Sequence, residues 1–330
     1  MKIINTRRKS RLVTIICLSM GLLLLQGVAL AQDDSTAPAK TTVAGLPSKP
    51  VKNTFQSQWI IDNQTVMVLV KGSLELDFQH RFGVLGNGYQ DMYGLFSPSF
   101  NIRIGASYTP VKNLSLGIGI TKTDLLWDAN AKYAIITQTP GKYPVSVTFF
   151  GDMAVNTKAD ATLYDGSEIQ HSSDRYSFFS QLIVARKISD KLSVQVAGSL
   201  SHQNAVGGYY TKNDSTGTAT YQSMYHDHFA IAVSARYRIT NVTALIVDYD
   251  QPLTSHPAYN PNPNLALGVE FSTSGHCFQM FVTNYSWLNP QYNNLYNSNS
   301  PFSYTDKATG QSVKGGQWLI GFNITKLWNY

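Results

Sequence analysis

Between Gly72 and Gly83 apolar and polar side chains alternate without a break. Leu74, Leu76, Phe78, His80 and Phe82 fall on one parity, and Ser73, Glu75, Asp77, Gln79 and Arg81 on the other. A strand with this pattern puts every apolar group on one face and every polar group on the other. Soluble sheets use such strands at about five or six residues. A tilted strand that crosses a bilayer needs about 9–11. In a membrane barrel the apolar face meets lipid and the polar face lines the lumen.

Eleven further stretches repeat the pattern with varying regularity. In residues 100–109, Phe100, Ile102, Ile104, Ala106 and Tyr108 alternate with Asn101, Arg103, Gly105, Ser107 and Thr109. The others fall at 114–121, 127–136, 145–150, 176–187, 192–197, 229–238, 243–250, 265–272, 277–284 and 318–330. The connections sort by parity. Long links follow the odd-numbered stretches (84–99, 122–126, 151–175, 201–228, 251–264 and 285–317), and short ones such as 110–113, 189–191, 240–242 and 273–276 follow the even-numbered ones. Outer-membrane barrels have short periplasmic turns and long external loops. A soluble sandwich has no reason to sort its loops this way. The pattern therefore predicts an all-β fold: a transmembrane antiparallel β-barrel of about twelve strands in the outer membrane of a Gram-negative bacterium.

The aromatic residues fit the same plan. Phe82, Trp127, Tyr176, Phe229, Tyr249 and Trp318 sit at the long-loop ends of the apolar parity, and Tyr108, Tyr237, Phe271, Phe278 and Trp328 at the short-turn ends. Two girdles at the headgroup levels are expected, with outer-membrane lipid as the immediate partner. Lys326 breaks the last apolar parity near the lower edge, where it can snorkel. The last stretch alternates and ends on Tyr330, which resembles the signal read by bacterial barrel-insertion machinery.

The N-terminus changes the charge picture. Lys2, Arg7, Arg8, Lys9 and Arg11 precede the apolar run 12–25, and Ala29-Leu30-Ala31 offers a cleavage site before Gln32. Residues 1–31 read as an export signal cleaved after Ala31. The chain carries +6, and this signal holds five of those charges and no acid, so the mature chain is left at +1. No basic face for nucleic acid remains. Cys17 leaves with the signal, so Cys277 stands alone and no internal disulfide can form. Residues 32–54, with Pro38, Pro47 and Pro50, read as a flexible periplasmic linker. Residues 55–71 are more apolar and form either a plug or a lead-in at the lower rim; the barrel occupies 72–330.

The segments Lys71-Gly72-Ser73-Leu74-Glu75 and His80-Arg81-Phe82-Gly83 resemble the opening strand of a Bacteroidota family of outer-membrane β-barrels of unknown function. Residues 61–65 and 99–105 are similar to that family as well. The resemblance implies fold and compartment, and brings no activity, cofactor or catalytic residue with it. A more distant resemblance is to the barrel component of the same bacteria's gliding and secretion apparatus.

On the lumen parity lie Glu75, Asp77, Arg81, Arg103, Lys132, Arg236, Arg238, Asp248, Asp250 and Glu270. These charges either select a solute in an open pore or brace a closed lumen in pairs. His226 and His228 share a face of an extended chain, and His202 stands at the other end of the same loop. They are the one metal-like set, on a spacing that exposed loop histidines often show. His80, on the lipid parity, is expected to pack at the interface. A lipid hydrolase needs Ser, His and an orienting polar group within reach of one another. Ser201-His202 is adjacent in sequence, and neighbours in a strand point to opposite faces, so no enzyme activity and no cofactor are expected. The loops rich in Tyr, Asn, Gly and Ser suit a sugar, a polymer or a protein partner, or merely cap the barrel. Passage or binding of a small solute is the leading expectation. A non-conducting structural or partner-binding barrel is the alternative, and a lipid-modifying enzyme a distant third.

Overall fold

In the computed structural model the described residues are 49–163, 165–212, 217, 219–257, 260–305 and 312–329. The expected export signal (1–31), residues 32–48 of the expected linker and the terminal Tyr330 lie outside them. Twelve strands close into one antiparallel barrel. They are β1 (Ser73–Val84), β2 (Asn101–Val111), β3 (Leu114–Thr121), β4 (Leu126–Ile136), β5 (Ser146–Asn156) and β6 (Tyr176–Lys187). Next come β7 (Leu192–Gln203), β8 (Asp227–Arg238), β9 (Thr243–Pro252), β10 (Asn264–Ser272), β11 (His276–Thr283) and β12 (Leu319–Asn329). Each pairs with its sequence neighbour, and β12 pairs with β1 from Asn329 opposite Ser73 to Leu319 opposite Val84. Closure leaves no edge strand unpaired, which is the condition for a sheet to live in lipid.

The outer surface is apolar. Ile104, Ile118, Leu267 and Met280 are each more than half exposed, as lipid-facing side chains must be. Exposed Trp127, Tyr176 and Phe229 lie toward the long-loop end, and Tyr108, Tyr237, Phe271 and Phe278 toward the other. His80 lies on the outer face, its ring 5.8 Å from Phe100, 5.2 Å from Phe322 and 4.3 Å from Phe82. Among the described residues no helix is long and apolar enough to cross a membrane. Crossing is by strands.

Two boundaries differ from the alternation. The link between β3 and β4 is residues 122–125, the same length as the periplasmic turns 188–191 and 239–242, so the parity rule for loop length holds for five external connections and fails there. It is a 3₁₀ turn with Asp124 and Leu125 at positive φ, which tightens the chain reversal. Strand β5 runs six residues beyond Phe150, through a segment where Gly151 and Asp152 interrupt the apolar pattern.

The interior is filled from both ends. From the periplasmic side Trp59–Ile60 pairs with Asn63–Gln64 in a small hairpin turned by Ile61 and Asp62. Residues 57–66 are all buried, and we call residues 54–67 the plug. The chain leading to it is pinned at the lower rim, where the Val51 N–H donates to the Gln138 carbonyl at 2.8 Å. From the external side the connection between β11 and β12 sends helix α1 (Pro290–Tyr296) against β6, β7, β8 and β9. Proline at the first turn costs that helix nothing, because its first N–H groups have no intrahelical partner anyway.

The external loops are tied together at Asp165. Its carboxylate accepts from the Ser167 N–H and hydroxyl, the Gly208 N–H at 2.8 Å and the Tyr221 hydroxyl at 3.2 Å. Partial burial pushes this carboxyl up, but these bonds outweigh it and hold it at about 2. A depressed folded-state pKa contributes stability above the unfolded value of about 3.9, lost as pH falls toward 2. Asp165→Ala is expected to speed proteolysis of the β7–β8 loop at neutral pH without lowering the unfolding midpoint of the barrel. Unchanged cleavage would remove Asp165 as the tether.

Candidate functional site

The lumen wall has a charged side and an apolar side. On the charged side Asp77, Gly105, Gly119 and Asp128 stand directly opposite one another across β1, β2, β3 and β4. The two glycines leave a trough, and the Arg103 side chain lies in it. Its Nη1 donates to Asp77 at 2.7 Å, while Nη2 and Nε donate to Asp128 at 2.6 and 3.0 Å. A Cβ on Gly119 would come within 2.6 Å of the Arg103 Cζ, so only glycine leaves room for the guanidinium. Bidentate pairing of a buried arginine with two carboxylates satisfies all three groups. Further round, the Arg236 Nε donates to Glu270 at 2.7 Å, and the other Glu270 oxygen accepts from Gln279 at 3.1 Å.

On the apolar side Phe150, Phe179, Ile183, Ile246 and Phe281 point inward with Ala185, Ala197, Ala232 and Ala266. The alternation predicts a polar bore throughout, and here it is not polar. The reason is the plug, whose Phe55, Ile60, Ile61 and Val66 pack into this half.

The charged and amide side chains of the wall attend to the plug backbone. The Lys132 Nζ donates to the Gln58 and Met67 carbonyls at 3.1 Å each. Thr148 donates to the Val66 carbonyl at 3.0 Å, Gln195 to Gln64 at 2.7 Å and Gln279 to Trp59 at 3.0 Å. The Asn323 amide donates to the Ile61 carbonyl. Beyond the hairpin's own bonds, among them the Thr65 N–H to the Gln58 carbonyl at 2.8 Å, irregular backbone at membrane depth needs such partners. Arg103 also lies 5.2 Å from the Trp59 ring centre.

At the plug tip three carboxylates meet. The Asn63 amide donates to Asp248 at 3.0 Å and to Asp250 at 2.7 Å, and its oxygen accepts from Gln181 at 3.0 Å. Asp62 accepts from the Tyr285 hydroxyl and, at 2.7 Å, from Asn293 of α1. Ile61 holds the turn at a φ of +58°, a left-handed conformation that a β-branched residue adopts only under constraint. The plug from below and α1 from above therefore touch inside the barrel. Arg81 is fully buried nearby. Its Nη1 donates to the Asn323 Oδ1 at 2.9 Å, its guanidinium lies 4.5 Å from the Phe281 ring centre, and its Nε and Nη2 have no partner among the described residues.

Of the charges read from parity, Glu75, Asp77, Arg81, Arg103, Lys132, Arg236, Asp248, Asp250 and Glu270 are buried in the lumen. Arg238 is half-buried, at the β8 end that meets the short turn. Asp128 and Asp152 join them without having been read from the pattern. Asp128 shares the parity of Lys132, a signal already present in the sequence. The apolar alternation ends at Phe150, so the pattern places Asp152 in a loop. With both included the wall charge is acidic rather than balanced.

The histidines do not converge. His228 turns inward, fully buried, with its Nδ1 2.9 Å from the His256 Nε2. His202 lies outside, 2.7 Å from Asp227, and His226 bonds to the Gln203 carbonyl at 2.7 Å. Among the described residues no group of three His, Cys, Asp or Glu side chains is placed to hold a metal. Ser201 is buried and points inward, opposite to His202. Cys277 is a buried free thiol.

A lipid-facing apolar belt around a closed, internally plugged β-barrel defines an integral outer-membrane protein. Residues 55–328 match the model of a family described as a membrane bound beta barrel domain (DUF5777), and the chain belongs to that family. No curated protein matches the chain. Among solved structures it is similar to the NanC porin, at 10% identity and a TM-score of 0.41, over 78% of this chain and 99% of that one. It is similar also to an outer membrane channel from Pseudomonas putida F1, at 10% identity, TM-score 0.43, 79% and 97% coverage. A third likeness is the KdgM porin, at 8% identity, TM-score 0.37, 78% and 99% coverage.

Proposed function

We propose that the protein is a plugged outer-membrane barrel that binds or passes a small solute, and that residues 54–67 close it in the state described here. The observation that carries this reading is the chemistry of the wall behind the plug. Lys132, Thr148, Gln195, Gln279 and Asn323 donate to plug carbonyls, so each is a group that water or a solute can satisfy once the plug shifts. The runner-up, a structural barrel without conductance, is favoured by the anchoring of the plug at both its ends. We assign no hydrolytic role, in keeping with the opposed faces of Ser201 and His202. The segments 71–75 and 80–83, at and just before β1, support a Bacteroidota origin.

The test is flux. Liposomes carrying the intact chain, or the chain lacking residues 54–67, are placed in small uncharged solutes and their swelling is followed. Swelling with the shortened chain and little with the intact one is expected. Absence of swelling in both, with insertion verified by heat-modifiable gel mobility, would leave the structural reading in its place.

A further inference from the structure

A cavity of about 190 Å³ opens among the external connections, apart from the lumen contacts described above. Four connections converge on it: those after β3, β5, β7 and β11. One wall is aromatic. Trp287 stacks on Tyr292 at 5.1 Å, and Tyr296 lies 5.7 Å from Tyr292 and 6.3 Å from Trp287. Behind these rings sit Leu295 and Met224, which fix their positions. The facing wall is polar and is formed by Asp124, Asn156, Asp174, Arg175 and Gln203.

Two of these polar groups are prepared without being used. Asp124 sits at a φ of +58° in the 3₁₀ turn, a strained position that fixes where its side chain goes. Its carboxylate accepts no hydrogen bond from any described residue, and burial pushes its carboxyl up. Arg175 is held in place by two backbone carbonyls: its Nη1 donates to Asn156 at 3.0 Å and to Lys158 at 2.7 Å. Its Nη2 and Nε have no partner among the described residues. Asp174, in contrast, is committed, accepting from the His171 N–H at 3.0 Å.

We propose that this cavity binds a small uncharged polyhydroxylated ring, of the chemical class of a monosaccharide. Its volume lies below the roughly 300–1,000 Å³ of sites for drug-sized ligands, so one ring fits and a polymer chain does not. An aromatic wall takes the apolar C–H face of such a ring. Adjacent hydroxyls, each donor and acceptor, match a wall that offers a carboxylate, a guanidinium and amides together. A strongly charged ligand would meet either Asp124 or Arg175 as an opponent. The proposal deepens the solute-passing reading by naming what would first engage at the external mouth, and it rests on that reading only for the use of the bound molecule.

The experiment uses the full chain folded in a sugar-free detergent, with D-glucose, D-galactose and D-mannose as probes. Binding is followed by saturation-transfer difference NMR and by tryptophan fluorescence. Saturable binding of at least one sugar is expected, about tenfold or more weaker in Asp124→Ala, as when a charged hydrogen-bond partner is lost. Tyr237→Ala, at the opposite end of the barrel, is expected to bind as the parent does. Failure of all three sugars, or equal binding by Asp124→Ala, overturns the site and leaves the flux experiment untouched. Binding by a chain that passes no solute even without its plug would keep the site and remove the passage reading.

Discussion

Deletion of residues 54–67 is expected to turn a silent barrel into a steady, cation-preferring channel in a planar bilayer. Silence of the intact chain follows from magnitudes. Phe55, Ile60, Ile61 and Val66 are buried in the apolar half of the lumen. At about 1.5–3 kcal/mol each, they hold the plug by roughly 6–12 kcal/mol before any hydrogen bond is counted. Thermal fluctuation alone then opens the barrel too rarely to register, so passage requires something that pulls on or replaces the plug. Cation preference follows from the wall that deletion exposes. Glu75, Asp77, Asp128, Asp152, Asp248, Asp250 and Glu270 face it against Arg81, Arg103, Lys132 and Arg236, an excess of three acids. A ring of excess carboxylates raises the local cation concentration and favours cation entry. Asp248→Asn with Asp250→Asn, in the shortened chain, is expected to lower that preference, and α1 keeps the conductance modest. A shortened chain that inserts correctly and stays silent would contradict the plug assignment. Anion preference would contradict the charge assignment alone.

Arg103→Ala is expected to destabilise the barrel by about 3–5 kcal/mol, more than any single amide substitution in the lumen. The residue gives three hydrogen bonds to two buried carboxylates, and its removal leaves Asp77 and Asp128 close together without a cation. Removing Gln279, a neutral donor, is expected to cost about 1–3 kcal/mol. Arg103→Lys does not restore the bond pattern, because an ammonium cannot span Asp77 and Asp128 as the planar guanidinium does. The measurement is urea unfolding of the refolded chains in lipid vesicles, followed by tryptophan emission. Combining Arg103→Met with Asp77→Asn and Asp128→Asn is expected to recover much of the loss. An unfolding midpoint for Arg103→Ala equal to that of the parent would mean the trough is solvated, and that the lumen is wetter than its packing implies.

The barrel was legible because its rule is local. A period of two is fixed by the geometry of a single strand, so β1, β2 and β8 reveal their faces in isolation, and the positions of Glu75, Asp77, Arg103 and Arg236 follow. Legibility failed where a residue answers to a partner far along the chain. Phe150, Phe179, Ile183 and Phe281 break the polar-in pattern because residues 55–66 pack on them, and nothing within β5, β6 or β11 announces that contact. Gly105 and Gly119 read as weak strand residues until Arg103 is seen lying over them. Asp152 was lost with the end of its strand. Gln181, Gln195, Gln279 and Asn323 share the inward parity, yet an uncharged amide raises no alarm in a sequence. Asp62 and Asn63 matter only because a hairpin carries them to Tyr285, Asn293 and Asp248.

The connection between β11 and β12 has a consequence for assembly. It carries α1 into the upper lumen, and its far end is the strand that seals the barrel against β1. The plug, which precedes β1, lies beneath that helix and bonds to β12 through Asn323. With the helix above it and strands around it, the plug can enter only from the periplasmic side from which its chain arrives, or while β1 and β12 are still apart. Closing the seam brings Asn323 of β12 against the Ile61 carbonyl, so a correctly seated N-terminus adds its own hydrogen bonds to the stability of the closed seam.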